Sequence, residues 1–144
     1  MVIRADTGFL FSLYGDDVNT PRALAWMKSC HRALRLTTLN EYDLANALRF
    51  AEFRKAIAPG EAALFWAQFE ADRASGRPRI SIPNLADTLD EAKWLSSTHT
   101  LKGGHRGFDI LHVAASLRMK AKQLLTFDRN QKKLAQAEVL VVPI

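Results

Sequence analysis

The sequence predicts an α/β protein, a three-layer α/β/α sandwich with a central parallel sheet. Two observations carry this. Short apolar runs alternate with longer segments of helical periodicity along the chain, and strands separated by helices pair in parallel through right-handed crossovers. The runs at 34–38 (LRLTT), 123–127 (QLLTF) and 139–142 (VLVV) are apolar or β-branched, as strands covered on both faces should be.

The elements follow in order. Residues 2–6 (VIRAD) form a first strand that ends on the carboxylate of Asp6. Residues 8–14 suit a short helix. Thr20-Pro21 opens another, with Thr as N-cap and Pro at the first helical position, running through Cys30. Residues 34–38 are the second strand. From Asn40 to Ile57, Leu44, Ala47, Leu48 and Ala51 recur at helical spacing. Pro59-Gly60 ends that helix and begins one that reaches about Ser75. A short strand at 79–82 precedes a helix capped by Asn84 that runs to about Ser97. Gly103-Gly104 is a loop, 109–120 a helix, 123–127 a strand, 129–135 a helix and 139–142 a last strand.

At 144 residues the chain is long enough for one substantial core, and residues 1–144 are expected to form a single domain. Hydrophobic residues make up 48% and charged ones 24%, an ordinary globular balance rather than a disordered one. Cys30 is the single cysteine. It excludes an internal disulfide and a multi-cysteine zinc site and suits a reducing cytoplasm. The histidines show no metal-ligand spacing. No apolar stretch approaches the roughly 20 residues of a membrane span, and Asp6, Asp16 and Asp17 break a signal-peptide pattern. The net charge of +5 and pI near 9.7 point toward an anionic partner.

In open parallel sheets, functional groups gather beyond the carboxyl ends of the strands. Asp6 stands at the end of the first strand, Glu41 just past the second, and Asp128 just past the LLTF strand. Asp109 opens the helix that feeds that strand. Each has a local reading too. Thr38-Leu39-Asn40-Glu41 matches a capping box, Asp128 to Gln131 resembles a similar cap, and Asp109 suits a helix first turn. Capping, however, does not require four acids at one sheet edge. Two carboxylates 4–8 Å apart repel by roughly 2–4 kcal/mol at an effective dielectric near 20. A cluster of four needs protons, basic partners or a divalent cation. Hard oxygen donors select Mg²⁺ or Mn²⁺, and such an ion activates water and shields phosphate. An acidic metal centre on a basic protein suggests phosphodiester cleavage. Arg106, in the Gly103-Gly104-His105-Arg106 stretch, and Arg129, beside Lys132 and Lys133, are candidate contacts for substrate phosphate.

At these residues the sequence resembles the PIN-domain family, and within it the small VapC-type toxin ribonucleases. The resemblance lies in ADTGFL, LNEYDLANALR, RGFDILHVAAS and LLTFDRNQKKLA, in that order. It implies a PIN-like fold and a Mg²⁺- or Mn²⁺-dependent endoribonuclease in which metal-bound hydroxide attacks RNA phosphorus in line. Asp6 and Asp109 would be direct metal ligands, with Glu41 and Asp128 completing the shell or positioning water. Thr126, two residues before the last acid, would orient a carboxylate or water, and Thr7 takes the small hydroxyl position after Asp6. The resemblance also implies a homodimer and a small antitoxin partner. A noncatalytic PIN-like binding module and a PIN nuclease of RNA processing are the alternatives. Asp-Thr-Gly also occurs in aspartic proteases, which are all-β, and dehalogenase-type phosphatases want an aspartate where Gly8 stands.

Overall fold

The computed structural model describes residues Met1–Ile144. The elements in chain order are β1 (Ile3–Ala5), α1 (Thr7–Tyr14), α2 (Thr20–Ser29), β2 (Arg35–Thr37), α3 (Thr38–Phe53), α4 (Glu61–Ala74), β3 (Arg79–Ser81) and α5 (Leu85–Leu95). A π-helical turn (Ser96–Thr100), α6 (Leu101–Gly103), α7 (Gly107–Arg118), β4 (Gln123–Leu125) and α8 (Arg129–Ala137) complete the chain. The α/β alternation is as the sequence predicts, and every strand pairing is parallel. Hydrogen bonding joins the strands in two pairs, β1 with β4 and β2 with β3. The chain correspondingly forms two compact units. One comprises Met1–Asp6 and Ile82–Ile144, the other Thr7–Ser81.

In the first unit, Ile3, Arg4 and Ala5 stand opposite Gln123, Leu124 and Leu125. The Asp6 N–H donates to the Leu125 carbonyl at 3.0 Å, so the ladder runs one residue past β1. The core is built from Leu95 of α5, Ile110 and Val113 of α7, Leu124 of β4 and Leu134 of α8. Full burial of each such side chain is worth about 1.5–3 kcal/mol. One cation lies among the buried residues: Arg4 is fully buried, and its Nε donates to Ser116 Oγ of α7 at 3.3 Å. Burial pulls its pKa down to about 10, so it is protonated at neutral pH.

Two features of this unit depart from the sequence reading. The expected strand at 139–142 shrinks to one bridge, Val141 to Gln123, because Val139 takes a left-handed backbone at φ +67° and cannot extend the ladder. The helix expected to stop near Ser97 runs on through the π turn and α6 to Gly104, whose φ of +64° ends it.

In the second unit, Arg35, Leu36 and Thr37 pair with Arg79, Ile80 and Ser81. Leu10 of α1, Leu44 and Leu48 of α3 and Phe69 of α4 are fully buried. Aromatic edges reinforce the packing: Phe9 meets Trp26 at 6.4 Å and Tyr14 meets Phe69 at 5.2 Å, both close to perpendicular. Tyr14 also donates its hydroxyl to Asp72 Oδ2 at 2.8 Å. Burial first, then that hydrogen bond and the Asp72 charge, raise its pKa above the ordinary tyrosine value. No helix is long and apolar enough to cross a membrane.

Candidate active site

The first unit links Asp6 and Asp128 by hydrogen bonds and reaches Asp109 through its backbone carbonyl. Asp6 leaves β1 with only 3% of its surface exposed, so its carboxylate needs donors. Thr126, immediately past β4 and also buried, supplies one. Its Oγ1 donates to Asp6 Oδ2 at 2.5 Å. The same oxygen accepts the Asp128 N–H at 3.1 Å. The parallel register puts this within reach, since Ala5 pairs with Leu125 and each strand then delivers its next residue to the same end.

Asp128 is the N-cap of α8, its Oδ1 accepting from the backbone N–H groups of Asn130 (2.7 Å) and Gln131 (2.9 Å). The expected cap is thus made, but its reciprocal half is not. Gln131 is buried and its amide faces inward. Its Nε2 donates to the Asp109 carbonyl at 3.3 Å, and its Oε1 lies 3.5 Å from Thr126 Oγ1. With one hydrogen to give, the hydroxyl favours the much shorter contact to Asp6. Gln131 ties the first turn of α7 to the strand-end acids. Its place three residues into a capped helix was legible; that its side chain would turn inward was not.

Asp109 lies in the first turn of α7, which begins at Gly107, two residues earlier than expected. Arg106, the N-cap residue, places its Nε 3.8 Å from Asp109 Oδ2. The arginine side chain is 85% exposed and the aspartate 30%, so the pair is weak and water-screened. Arg129 is exposed at the first position of α8. His112 is buried, its ring 6.0 Å from that of Phe108.

Glu41 belongs to the second unit. The capping box of α3 sits one residue earlier than the sequence suggests. Thr37 is the N-cap, and Asn40 Oδ1 accepts from the Thr37 N–H at 3.0 Å. Glu41 has no part in the cap. Its Oε1 takes Arg73 Nη1 of α4 at 2.6 Å. In the same unit Thr7 Oγ1 donates to Asp43 Oδ2 at 2.5 Å. Asp43 stands in the LNEYDLANALR stretch, yet nothing in its spacing distinguished it from a solvated helix acid.

As a donor set, the carboxylates of Asp6, Asp109 and Asp128 suit a hard cation such as Mg²⁺ or Mn²⁺. No three His, Cys, Asp or Glu side chains are grouped closely enough to cage an ion as they stand. The chemistry of the donors fits such an ion, and the ion itself would have to gather them.

No family model matches the sequence, and no curated protein does. Solved structures match in fold. VapC20 of Mycobacterium tuberculosis, a Sarcin-Ricin loop cleaving toxin, superposes with a TM-score of 0.71 at 16% identity, covering 96% of each chain. FitAcB from Neisseria gonorrhoeae gives a TM-score of 0.61 at 16% identity, covering 98% of this chain and 96% of that one. The chain has the PIN-like α/β fold of these two proteins.

Proposed function

We propose that the protein is a divalent-metal-dependent endoribonuclease and the toxin of a type II toxin–antitoxin pair. One observation carries the reading: the network linking Asp6 through Thr126 to Asp128, and through Gln131 to the Asp109 turn. It stands at the carboxyl end of a parallel strand pair, in a basic chain with the fold of a Sarcin-Ricin loop cleaving toxin. A buried carboxylate is costly, and no packing need explains one here.

On this reading Asp6 and Asp109 would hold Mg²⁺ or Mn²⁺, with Asp128 as a further acid of the first unit. The ion would polarise the phosphate and activate water. The chain's own residues do the rest. Thr126 fixes the Asp6 carboxylate, Gln131 holds the Asp109 turn against it, and Arg106 and Arg129 take substrate phosphate. The toxin role implies a small antitoxin as inhibitor, a homodimer and a cytoplasmic site of action.

A second reading, a noncatalytic module that binds RNA or protein, draws on the ungrouped acids and on the Arg73 contact of Glu41. RNA cleavage separates the two. With Mg²⁺ the chain should cut RNA; with EDTA, or as Asp6→Asn, cutting should fall by at least about a hundredfold. Equal cleavage in all three conditions removes the metal mechanism, and no cleavage of tRNA, rRNA or mRNA leaves the binding module. Glu41→Gln tests the fourth acid by itself.

A further inference from the structure

We infer that a basic cleft beside Asp128 binds a backbone phosphate of the RNA strand next to the one being cut. This rests on the ribonuclease reading and adds a substrate subsite to it.

The cleft is a cavity of about 300 Å³ in the first unit, lined by His99, Lys102, Gly103, His105, Asn130 and Lys133. Two lysines, two histidines and an asparagine line one space together with Leu134. The carboxylate at hand, Glu138, is already engaged by His99 Nε2 at 3.0 Å. Such a lining favours an anion, and on a strand-cleaving protein the anion in supply is phosphodiester.

Local backbone builds the cleft. The π turn at Ser96–Thr100 carries His99, and π turns often mark functional positions. Gly104 turns the chain at φ +64°, a conformation that glycine adopts without penalty. A methyl group at Gly103 would collide with the His105 ring, so this glycine is what allows the imidazole to fold across the rim. Across the cleft, Asn130 and Lys133 share one face of α8. Asn130 Nδ2 reaches the Gly104 carbonyl at 3.5 Å.

Asn130 also joins cleft to acids. Its side chain lines the cavity while its backbone N–H donates to Asp128 Oδ1 at 2.7 Å. The cleft thus adjoins Asp128, and on this proposal Lys102 and Lys133 hold the phosphate of a neighbouring nucleotide.

The test is fluorescence anisotropy of the full chain with a short labelled single-stranded RNA, titrated in EDTA at several salt concentrations. Lys102→Ala with Lys133→Ala should weaken binding roughly tenfold and lower the salt slope by about 1.4. A charge-matched control, Lys93→Ala with Lys122→Ala, should keep wild-type affinity and slope. Gly103→Ala, which displaces the His105 ring without changing charge, should weaken binding with the slope intact. The cleft is overturned if the wild type does not bind RNA in EDTA, or if the double variant and its control behave alike. Because binding is read without metal, the two proposals fail separately. A chain that never cuts RNA but loses affinity in the double variant keeps the cleft and loses the nuclease. One that cuts RNA while the double variant binds like wild type keeps the nuclease and loses the cleft.

Discussion

Asp6 and Arg4, two residues apart on one strand, are the groups whose burial is hardest to reconcile with core packing alone. The Asp6 carboxylate depends on Thr126, and a hydrogen bond to a charged group is worth about 1.5–3 kcal/mol. Thr126→Val keeps the shape and removes the donor. It should lower stability by that amount in denaturant unfolding and reduce RNA cleavage, while Thr126→Ser should restore both; equal behaviour of the two variants would remove the hydroxyl from the account. Arg4 adds a pH test. Its folded pKa of about 10 lies below its unfolded value. Below pH 10 both states hold the proton, and the penalty for burying the cation is fully present. Above pH 10 the folded chain releases a proton that the unfolded chain keeps, so this residue's contribution to stability rises with pH. Between pH 8 and 11 the stability difference should move by about 1 kcal/mol in favour of wild type over Arg4→Met. A pH-independent difference would mean the guanidinium is not desolvated. The sequence put Asp6 at the end of the first strand, where the structure has it, because a strand end is a local feature; Thr126 came from the resemblance alone. The sequence was silent on Arg4 because a lone arginine in an apolar strand has no local signature of its depth.

Among the elements, the caps of α5 and α8 were legible; that of α2 lies at Asn19 and not at the expected Thr20, and boundaries written by tertiary contact were not legible. Asn84 caps α5 through Asp87 N–H at 3.1 Å, and Asp128 caps α8, both as short polar side chains before an apolar run should. The α3 cap slipped by a residue because two threonines stand side by side, and a buried Thr37–Asn40 contact decided between them. That slip is what separates Glu41 from a capping role, and its partner Arg73 is 32 positions away, beyond any local pattern. The last apolar run failed as a strand at Val139. A β-branched residue in the left-handed region is strained by roughly 1–2 kcal/mol, and this one is 90% exposed, so little burial offsets it. Val139→Gly should raise the melting temperature by a few degrees, net of the added chain entropy. A drop would place Val139 in extended backbone and return the run 139–142 to the sheet.

For the molecule as a whole, burial and pairing leave the +5 charge on the solvent-facing surface, since Asp6 and Arg4 are withdrawn together and Glu41 is paired with Arg73. The division into an acid network and a basic remainder is what a metal-dependent nuclease requires, and stability reads it without any substrate. An ion that binds only the folded chain stabilises it by mass action, by about 2.7 kcal/mol at a hundred times its dissociation constant. For a chain of this length that is a rise of several degrees in melting temperature. Mg²⁺ or Mn²⁺ should produce that rise in wild type, and EDTA should reverse it. Asp109→Asn acts differently in the two states. Without metal it removes a weak, exposed pairing with Arg106 and should leave stability nearly unchanged. With metal it removes a ligand and should abolish the rise. Calorimetry on both chains with and without Mn²⁺ decides it. A wild type that melts at the same temperature with and without the ion would mean that the acids keep their present hydrogen bonds and do not gather around a cation.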